Sequence, residues 1–254
     1  MLQIERLKAI EKLLEQQPTI AVSQLEEALD ISRATVYRDL KQMHKQGKLQ
    51  FTRGGVTRPR YNTGEEQPYT VKQNTNQEQK RRIAESAVEF IKPNSTIFLD
   101  SSTTIFEMTP YLMDLSGVRV ITNDIKIAES LSTAQALEVI VLGGVLRKGY
   151  YTLTGLFAEN NLDGVQIDTA FMGLDAINLT GGCMLTNMEE VALKKQVLKV
   201  SAEGIIMCDH SKFNAMAFIS FRPIDQVTHL ITGRELPAQI EQEYLDAGVD
   251  IFCV

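Results

Sequence analysis

Five consecutive polar residues, Asp100-Ser101-Ser102-Thr103-Thr104, follow a run of apolar residues and precede a predicted helix. Hydroxyl groups and the free backbone N–H groups of a helix N-terminus can together hold a phosphate or another anion. A simple helix cap is the alternative, but a cap needs only one of the four hydroxyls. The segment therefore indicates an anion site, and a simple helix cap is the alternative.

Further polar or small residues follow later predicted strands or open the next predicted helix. Ligands of parallel sheets bind beyond the carboxyl ends of the strands, so these residues are expected around one ligand. The glycines allow close approach, and the charged groups suit sugar hydroxyls or a carbonyl. For Glu189 a role in capping the helix near 187–201 is the alternative. The set predicts a small phosphorylated ligand held also by Thr122, Asn123, Gly143, Gly144, Asp175, Glu189, Lys194, Asp209 and Lys212.

The elements that must position these residues alternate along the second part of the chain. Apolar strands are expected at 96–99, 118–121, 137–142, 169–172, 204–208, 227–231 and 250–252, and helices at 77–91, 105–115, 125–133, 187–201 and 237–247. Continuous apolar strands that alternate with helices indicate a mostly parallel sheet covered on both faces. The predicted fold class is therefore α/β, with a Rossmann-like larger domain.

A different pattern occupies the N-terminal part, where two short helices flank a turn at Asp30-Ile31-Ser32. Ser23 and Glu26 have the spacing of a capping box for the first helix, and Ser32 is expected to cap the second. The second helix has Val36, Leu40 and Met43 on one face. Its other face is basic and bears hydroxyls, which suits a DNA major groove: Arg33, Thr35, Tyr37, Arg38, Lys41 and Lys45.

A short β-hairpin is predicted directly after this helix pair. Residues 48–52 form one strand, Arg53-Gly54-Gly55 the turn, and residues 56–58 the return strand. Arg53 and Arg58 would then meet phosphates or a minor groove, as in a winged helix-turn-helix. An ordinary surface hairpin is the alternative.

Charge separates the two parts of the chain. The net charge is −6, yet residues 1–60 hold 11 Lys and Arg against 7 Asp and Glu, and the remainder holds 15 against 25. Between residues 31 and 60 the ratio is 8 basic to 1 acidic. This asymmetry is typical of a basic DNA-binding head on an acidic body, whereas a solvated basic helix face or a protein-interaction module is the alternative.

Other bulk features exclude several classes of protein. Three widely spaced cysteines give neither a disulfide framework nor a metal site, so no metal is expected. No catalytic residue and no cofactor are expected either. No apolar run is long enough for a membrane span, and the N-terminus has no signal-peptide core. A cytoplasmic protein is therefore expected. Residues 59–76 are polar and contain two prolines, which predicts a linker between domains at 1–58 and 77–254.

Several motifs in this order resemble the DeoR family of transcriptional regulators over nearly the whole chain. They are Ser32 to Leu40, Gly54-Gly55, Ile97 to Thr104, Thr122-Asn123, Leu142-Gly143-Gly144, Gly155, Asp168, Phe171-Met172-Gly173 and Asp209 to Phe213. The resemblance implies a winged helix-turn-helix joined to a domain similar to ribose-5-phosphate isomerase. It also implies repression of a sugar-catabolic operon that a phosphorylated sugar controls, with Ser101 to Thr104 on the phosphate and Asn123, Gly143, Gly144, Asp175 and Lys212 around the sugar.

The chain departs from the family pattern at three positions. The family usually has two adjacent arginines in the recognition helix, where this chain has Tyr37 before Arg38. A histidine commonly precedes the Gly-Gly of the wing, and here it is Arg53. Both changes are expected to alter the operator sequence, while Ser102 stands where the phosphate loop usually has glycine.

Two functions remain open from the sequence. A repressor should bind a double-stranded DNA operator as a dimer or tetramer, because one winged module buries too little surface for high specificity. The alternative is a sugar-phosphate isomerase with an accessory N-terminal domain, because fold alone does not decide function and carboxylates with a lysine can move protons.

Overall fold

The structure is a computed structural model that describes residues 2–17, 19–45, 49–57 and 66–254, without the side chains of residues 15, 16 and 45. It divides into two compact units. The smaller is Met1–Tyr61 with Thr70–Thr75, and the larger is Asn62–Tyr69 with Asn76–Val254. Each unit is described by itself.

The smaller unit is a helix-turn-helix domain with a small antiparallel sheet of order β1-β3-β2. The hairpin strands pair Gln50 with Thr57 and Thr52 with Gly55, while β1, which the sequence did not predict, pairs with β3. Its elements are α1 (Gln3–Gln16), β1 (Thr19–Ala21), α2 (Val22–Leu29), α3 (Arg33–Lys45), β2 (Gln50–Thr52) and β3 (Gly55–Thr57).

The core of this unit confirms the predicted apolar stripe. Val36, Leu40 and Met43 of α3 are fully buried and pack with Leu25 of α2 and Ile10 of α1. The predicted capping box is wrong, because α2 begins at Val22 rather than after Ser23. The backbone N–H of Ala21 donates instead to the side chain of Gln24 at 2.9 Å.

One more helix, α4 (Tyr69–Asn74), lies inside the segment that the sequence predicted to be a linker. Thr75 donates its hydroxyl to Val71 O at 2.8 Å, which closes the last turn of this helix. The predicted linker therefore contains regular structure, since an isolated turn of helix without an apolar period gives no signal at 3.6-residue spacing.

The larger unit alternates strands and helices as predicted. Short 3₁₀ turns also occur at Val88–Phe90, His210–Lys212 and Ile224–Gln226. The elements are α5 (Gln77–Ala87), β4 (Thr96–Leu99), α6 (Thr103–Phe106), α7 (Thr109–Leu112), β5 (Arg119–Thr122), α8 (Ile125–Leu131), β6 (Glu138–Val141), β7 (Val145–Arg147), β8 (Thr152–Thr154), α9 (Leu156–Asn160), β9 (Ile167–Met172), β10 (Ala176–Asn178), β11 (Gly182–Leu185), α10 (Val191–Val200), β12 (Ser201–Met207), β13 (Ile219–Arg222), β14 (His229–Thr232), α11 (Ala238–Asp246) and β15 (Asp250–Cys253).

Seven parallel strands form the main sheet in the order β15-β14-β12-β9-β4-β5-β6. Neighbouring residues of a strand face opposite sides. Phe98 lies in one apolar core, and Ile97 and Leu99 lie in the other. Burial on both faces explains the continuous apolar strand sequences, and the α/β fold class is confirmed.

Two features of the larger unit differ from the prediction. The helix expected at 105–115 is two short helices, α6 and α7. Pro110 lacks a backbone N–H, so it cannot continue the first helix and instead lies in the first turn of α7. The sequence also missed two small antiparallel sheets, β7-β8 and β10-β11-β13. Their strands have only three or four residues, which is too short for a clear alternating pattern.

Candidate functional site

The outward face of α3 carries the residues expected to contact DNA. Arg33, Arg38 and Lys41 are exposed, and Thr35 is half-buried with its hydroxyl 3.0 Å from that of Ser32. Arg53 is exposed in the turn between β2 and β3, which forms the wing. Lys45 ends α3 but its side chain lies outside the described part, and Arg58 lies outside the described residues altogether.

Tyr37 links the recognition helix to the wing. Its half-buried ring stacks on that of Phe51 in β2, with centroids 6.4 Å apart and planes inclined by 14°. The Arg33 guanidinium lies 6.0 Å from the centroid of the same ring. Tyr37 therefore has a packing role that the sequence did not indicate, beside any contact with DNA.

An ion pair fixes α3 against α1. The carboxylate of Asp39 is fully buried and accepts hydrogen bonds from Arg6 Nε at 2.7 Å and from Gln3 Nε2 at 3.1 Å. Burial acts to raise the pKa of Asp39, but the hydrogen bonds from Arg6 and Gln3 and the nearby positive charges together outweigh it, so the pKa lies below its ordinary value. Asp39 therefore orients the helix from its inner side, a role that sequence reasoning missed.

In the larger unit a buried ion pair lies at the carboxyl edge of the sheet. Lys194 of α10 donates to Asp100 Oδ2, and also to Gly173 O at 3.0 Å. The same carboxylate oxygen accepts the N–H of Gly173 at 2.8 Å. Both side chains are almost completely buried. The structure therefore brings Asp100 and Lys194, two of the predicted site residues, into direct contact.

Ser101 belongs to a chain of hydroxyl and carboxyl groups. Its Oγ donates to Asp124 Oδ2 at 2.8 Å and lies 2.6 Å from Thr152 Oγ1. Asp124 caps α8 by accepting the N–H groups of Lys126 and Ile127. Burial raises the pKa of Asp124, and the hydrogen bond from Ser101 opposes that shift.

Thr103, in the same loop, contacts a second buried lysine. Thr103 Oγ1 accepts a hydrogen bond from Lys80 Nζ at 2.9 Å, and both residues are buried. Ser102 caps α6, since its Oγ accepts the N–H of Thr104 at 3.2 Å. A Cβ placed on Gly173 would lie only 2.4 Å from the Cβ of Ser102, so the absent side chain of Gly173 makes room for this serine.

Asp209 follows β12 and is held by three donors. Asn76 Nδ2 donates to its Oδ1 at 2.7 Å, and the N–H and hydroxyl of Ser211 donate to the same oxygen. Burial acts to raise the pKa of Asp209, but the charges of Lys212 and Lys80 and the hydrogen bonds from Ser211 and Asn76 together outweigh it, so the pKa is lowered. The carboxylate is therefore charged at neutral pH.

Asn123 and the glycine pair line the sheet edge beyond β5 and β6. Asn123 Nδ2 donates to Leu153 O at 3.3 Å, while its buried Oδ1 has no hydrogen-bond partner within the described part of the chain. Gly144 passes close to the backbone of Thr154, where a Cβ would lie 2.7 Å from the carbonyl oxygen. Gly143 and Gly144 are both exposed.

Three predicted site residues have other partners in the structure. Thr122 is fully buried and donates its hydroxyl to Leu99 O at 2.7 Å, so it supports the loop. Asp175 Oδ2 accepts the N–H and hydroxyl of Thr186. Glu189 is exposed and pairs with Arg147 at 2.6 Å.

Arg147 organises an ion cluster that the sequence did not reveal. It pairs with Glu66, with Glu189 and with the buried Glu190, whose Oε1 lies 2.9 Å from Nη1. Burial raises the pKa of Glu190 to about 7, although the positive charges of Lys194 and Arg147 work against the shift. Glu190 thus sits one helical turn before Lys194 and titrates near neutrality.

A sequence signal for Lys80 existed but lay inside a charged run. Lys80 shares the buried stripe of α5 with Ile83, Ala84 and Ala87, at helical spacing. Because a lysine at that spacing is usually solvated, the pattern alone does not indicate a buried charge. No comparable signal pointed to Arg147, whose partners are distant in sequence.

The structure bears on two other classes of function. Within the described ranges, no three His, Cys, Asp or Glu side chains are placed to hold a metal ion. None of the helices in the described part of the chain is both long and apolar enough to cross a membrane.

Comparison with known proteins identifies both units. Residues 6–61 match the DeoR-like helix-turn-helix domain and residues 75–234 match the DeoR C terminal sensor domain. The chain is 30% identical over 251 residues to the HTH-type transcriptional regulator GlpR of Haloferax volcanii, with 99% of this chain and 98% of that protein covered. It is 31% identical over 252 residues to the HTH-type transcriptional repressor GlcR of Bacillus subtilis, with 99% and 96% covered.

A third relative and one solved structure complete the comparison. The glycerol-3-phosphate regulon repressor of Escherichia coli is 27% identical over 254 residues, with 99% of each chain covered. Ribose 5-phosphate isomerase A of Methanocaldococcus jannaschii aligns over 55% of each chain with a TM-score of 0.41 and 18% identity, a likeness too small to carry an argument.

The fold, the basic recognition helix and these matches define a helix-turn-helix transcriptional regulator with a separate sensor domain. Relatives that span the whole chain are regulators, so the isomerase alternative is set aside. The chain belongs to the DeoR family of transcriptional regulators.

Proposed function

We propose that this regulator binds a double-stranded DNA operator and represses a sugar-catabolic operon, and that a small phosphorylated sugar controls its binding. The observation that carries the proposal is the buried contact between Lys80 Nζ and Thr103 Oγ1 beside the hydroxyl loop. A buried cation among hydroxyl groups is a suitable partner for a phosphate. The names of two relatives, a repressor and a glycerol-3-phosphate regulon repressor, support the same function.

We place the phosphate at Ser101, Ser102, Thr103 and Thr104, with Lys80 as the charge partner. The sugar then extends toward the Asp100–Lys194 pair and the glycine pair Gly143-Gly144. The buried Asn123 Oδ1 is an acceptor for a sugar hydroxyl, since it has no partner among the described residues. The proposed outer residues of the sensor site are Thr122, Asp175, Glu189, Asp209 and Lys212.

DNA contacts divide into two kinds. Arg33, Thr35, Tyr37 and Arg38 would meet base edges or flanking phosphates from α3 in the major groove. The remaining basic residues would mainly neutralise phosphates, with the wing reaching the backbone or minor groove. These residues are Lys41, Lys45, Arg53 and Arg58.

The proposal extends to the organisation and location of the protein. We assign residues 1–58 to DNA binding, 59–76 to a linker and 77–254 to the sensor. Two or four copies would bind repeated half-sites, because a single module buries too little surface for high specificity. The protein would work in the cytoplasm, with its operator.

The test is operator binding by the full-length protein, measured on DNA from upstream of its own gene and titrated with a panel of sugar phosphates. We expect specific binding that one sugar phosphate changes at sub-millimolar concentration, while the unphosphorylated sugar has no effect. Specific binding that no phosphorylated compound alters would contradict the proposed effector. Failure to bind any DNA would contradict the operator.

Arg38 provides the sharpest test of the DNA surface. It is exposed on α3, where an arginine can donate two hydrogen bonds to a guanine. The Arg38→Ala variant should lose about 1–3 kcal/mol of operator binding and tolerate base changes at one position of each half-site. The matched control is Lys12→Ala on the exposed side of α1, which should bind as the wild type does. Unchanged affinity and specificity of Arg38→Ala would remove Arg38 from the base-reading residues.

A further inference from the structure

A lysine beyond β5 of the larger unit lies among three aromatic rings. Lys126, in the first turn of α8, has its Nζ 4.7 Å from the ring centroid of Tyr69 and 4.9 Å from that of Tyr151. The ring centroid of Phe106 lies 5.5 Å from the same atom. Aromatic rings at these distances attract a cation, although a lysine normally extends its ammonium into water. These four residues are called the lysine cage.

The ammonium of Lys126 keeps its hydrogen-bond donors available. Within the described ranges its Nζ contacts the three rings but has neither an ion pair nor a hydrogen-bond acceptor. An ammonium carries three N–H donors, and an aromatic ring accepts such a donor more weakly than an oxygen atom does. An oxygen-rich ligand would therefore gain charge-assisted hydrogen bonds from Lys126.

Tyr69 supplies a second unpartnered group to the lysine cage. The residue is only 6% exposed, and its buried hydroxyl has no hydrogen-bond partner within the described part of the chain. A buried phenol usually finds a partner for its hydroxyl. Burial and then the negative charge of Asp124 raise the pKa of Tyr69, so this carboxylate lies close to the ring.

Backbone and side-chain contacts join the lysine cage to the loop at 100–104. Asp124, which caps α8, accepts the hydroxyl of Ser101 at 2.8 Å. The N–H of Ile125 donates to Tyr151 O at 3.0 Å, which holds the turn that carries this ring against the start of α8. Phe106 lies on α6, directly after the same loop. The lysine cage therefore borders the residues proposed to hold the phosphate.

The hydrogen-bonding capacities around the end of β5 complement one another. Asn123 Oδ1 is a buried acceptor without a partner in the described part of the chain, whereas Lys126 Nζ can only donate. The hydroxyl of Tyr69 can do either. Leaving buried polar groups unpaired costs free energy, so such a group of atoms suits a ligand that supplies the partners. Neighbouring hydroxyl oxygens of a sugar have this capacity, because each both donates and accepts.

We propose that Lys126 and Tyr69 bind the sugar portion of the effector and thereby determine which phosphorylated sugar the protein recognises. Tyr69 hydrogen-bonds one sugar hydroxyl, and Lys126 donates to a neighbouring oxygen, while the phosphate occupies the loop at 100–104. A site built to hydrogen-bond a hydroxyl strongly rejects an analogue that lacks it, because its own polar groups then stay unpaired. The inference rests on the proposed function, since it adds two contacts to the same ligand.

The test is isothermal titration calorimetry of the full-length protein without DNA, with a panel of pentose and hexose phosphates. For the panel member that binds most tightly, Tyr69→Phe should weaken binding about two- to tenfold and Lys126→Met about ten- to hundredfold. Deoxy analogues of that compound, each without one hydroxyl, identify the contact. One of them should bind Tyr69→Phe and the wild type equally, because the lost partner is already missing.

Matched controls and a stability measurement separate ligand contact from a structural role. Tyr111→Phe and Lys92→Met change exposed residues outside the lysine cage and should bind every compound as the wild type does. Without ligand, Tyr69→Phe should unfold at a temperature no lower than the wild type, because it removes a buried hydroxyl that has no partner among the described residues. The ligand should raise the unfolding temperature of Tyr69→Phe less than that of the wild type.

Three results would overturn the inference while the proposed effector stands. They are wild-type affinity for the sugar phosphate in both folded variants, an equal loss in Tyr69→Phe for every deoxy analogue, and a lower unfolding temperature of ligand-free Tyr69→Phe. If no phosphorylated sugar binds the wild type, the proposed function fails and the inference falls with it. The affinity of the wild type therefore tells the two failures apart.

Discussion

At the scale of single residues, the two buried lysines at the carboxyl edge of the sheet have different partners in the proposed sensor site. Lys194 pairs with Asp100, and Lys80 donates a hydrogen bond to Thr103 and acts electrostatically on Asp209. A phosphate bound at the hydroxyl loop would therefore lie beside Lys80, whose Nζ is 2.9 Å from Thr103 Oγ1.

Replacing Lys80 with methionine keeps its length and removes its charge. We expect Lys80→Met to weaken binding of the sugar phosphate by about 1.5–3 kcal/mol, roughly ten- to hundredfold, because one charge-assisted hydrogen bond is lost. Isothermal titration calorimetry measures the change, and Lys195→Met on the exposed side of α10 is the control. Wild-type affinity in folded Lys80→Met would exclude Lys80 from the phosphate site.

Glu190 predicts a dependence of stability on pH. Its pKa is raised to about 7 in the folded protein from an ordinary value near 4.5, so the folded state holds the proton more tightly. The proton on Glu190 stabilises the folded protein fully below the pKa that Glu190 has in the unfolded chain. This stabilisation, roughly 3 kcal/mol, is lost as the pH rises through 7.

The Glu190→Gln variant removes this titration. The free energy of unfolding of Glu190→Gln minus that of the wild type should be larger, meaning a relatively more stable variant, at pH 8 than at pH 5 in denaturant titrations. Glu189→Gln is the control, because Glu189 is exposed and should show no such difference. An equal effect of Glu190→Gln at both pH values would contradict the raised pKa.

At the scale of elements, the wing depends on one close approach of backbones. A Cβ on Gly55 would lie 2.3 Å from Ile20 O and 3.0 Å from Ala21 Cα, so β1 and β3 could not keep their pairing. Gly55→Ala should destabilise the smaller unit by about 1–3 kcal/mol and weaken operator binding.

The control for this variant is the neighbouring residue of the same turn. Gly54 has a φ of +86° but no atom within 4 Å of a Cβ, so Gly54→Asn should bind the operator nearly as the wild type does. Both variants should bind sugar phosphate normally, as calorimetry would show. Wild-type operator affinity in Gly55→Ala would mean that the strand pairing is unimportant for DNA binding.

How far the sequence predicts an element depends on its length and burial. β4, β5 and β9 are buried on both faces, so their apolar runs revealed them within one or two residues. The stripe of α3 was equally clear. The wing and the loop at 100–104 followed from turn and cap chemistry, which is local.

The missed features depend on contacts between distant residues. Lys80 donates a hydrogen bond to Thr103, and Arg147 forms ion pairs with Glu66 and Glu190. None of these partners lies near in sequence. Likewise β11 exists because β10 and β13 pair on either side of it, not because of its own pattern. Local periodicity carries no information about such partners.

At the scale of the whole molecule, the number of DNA-binding heads is measurable from the salt dependence of binding. Each phosphate contact contributes about −0.9 to the slope of log K against log[salt]. Lys41 is exposed on α3, so Lys41→Ala should make the slope less steep by about 1.8 if two heads bind one operator. The control Lys12→Ala should leave the slope unchanged, and a change near 0.9 would contradict two heads.

The strand order of the main sheet also has a consequence for the time course of folding. β4 pairs with β9, and Leu99 meets Phe171 only after the intervening chain has been made. Sheets with such distant pairings fold slowly, whereas the smaller unit closes its sheet between Thr19 and Thr57. During synthesis domains fold from the N-terminus onward, so the nascent protein acquires a folded DNA-binding head before it can sense its ligand.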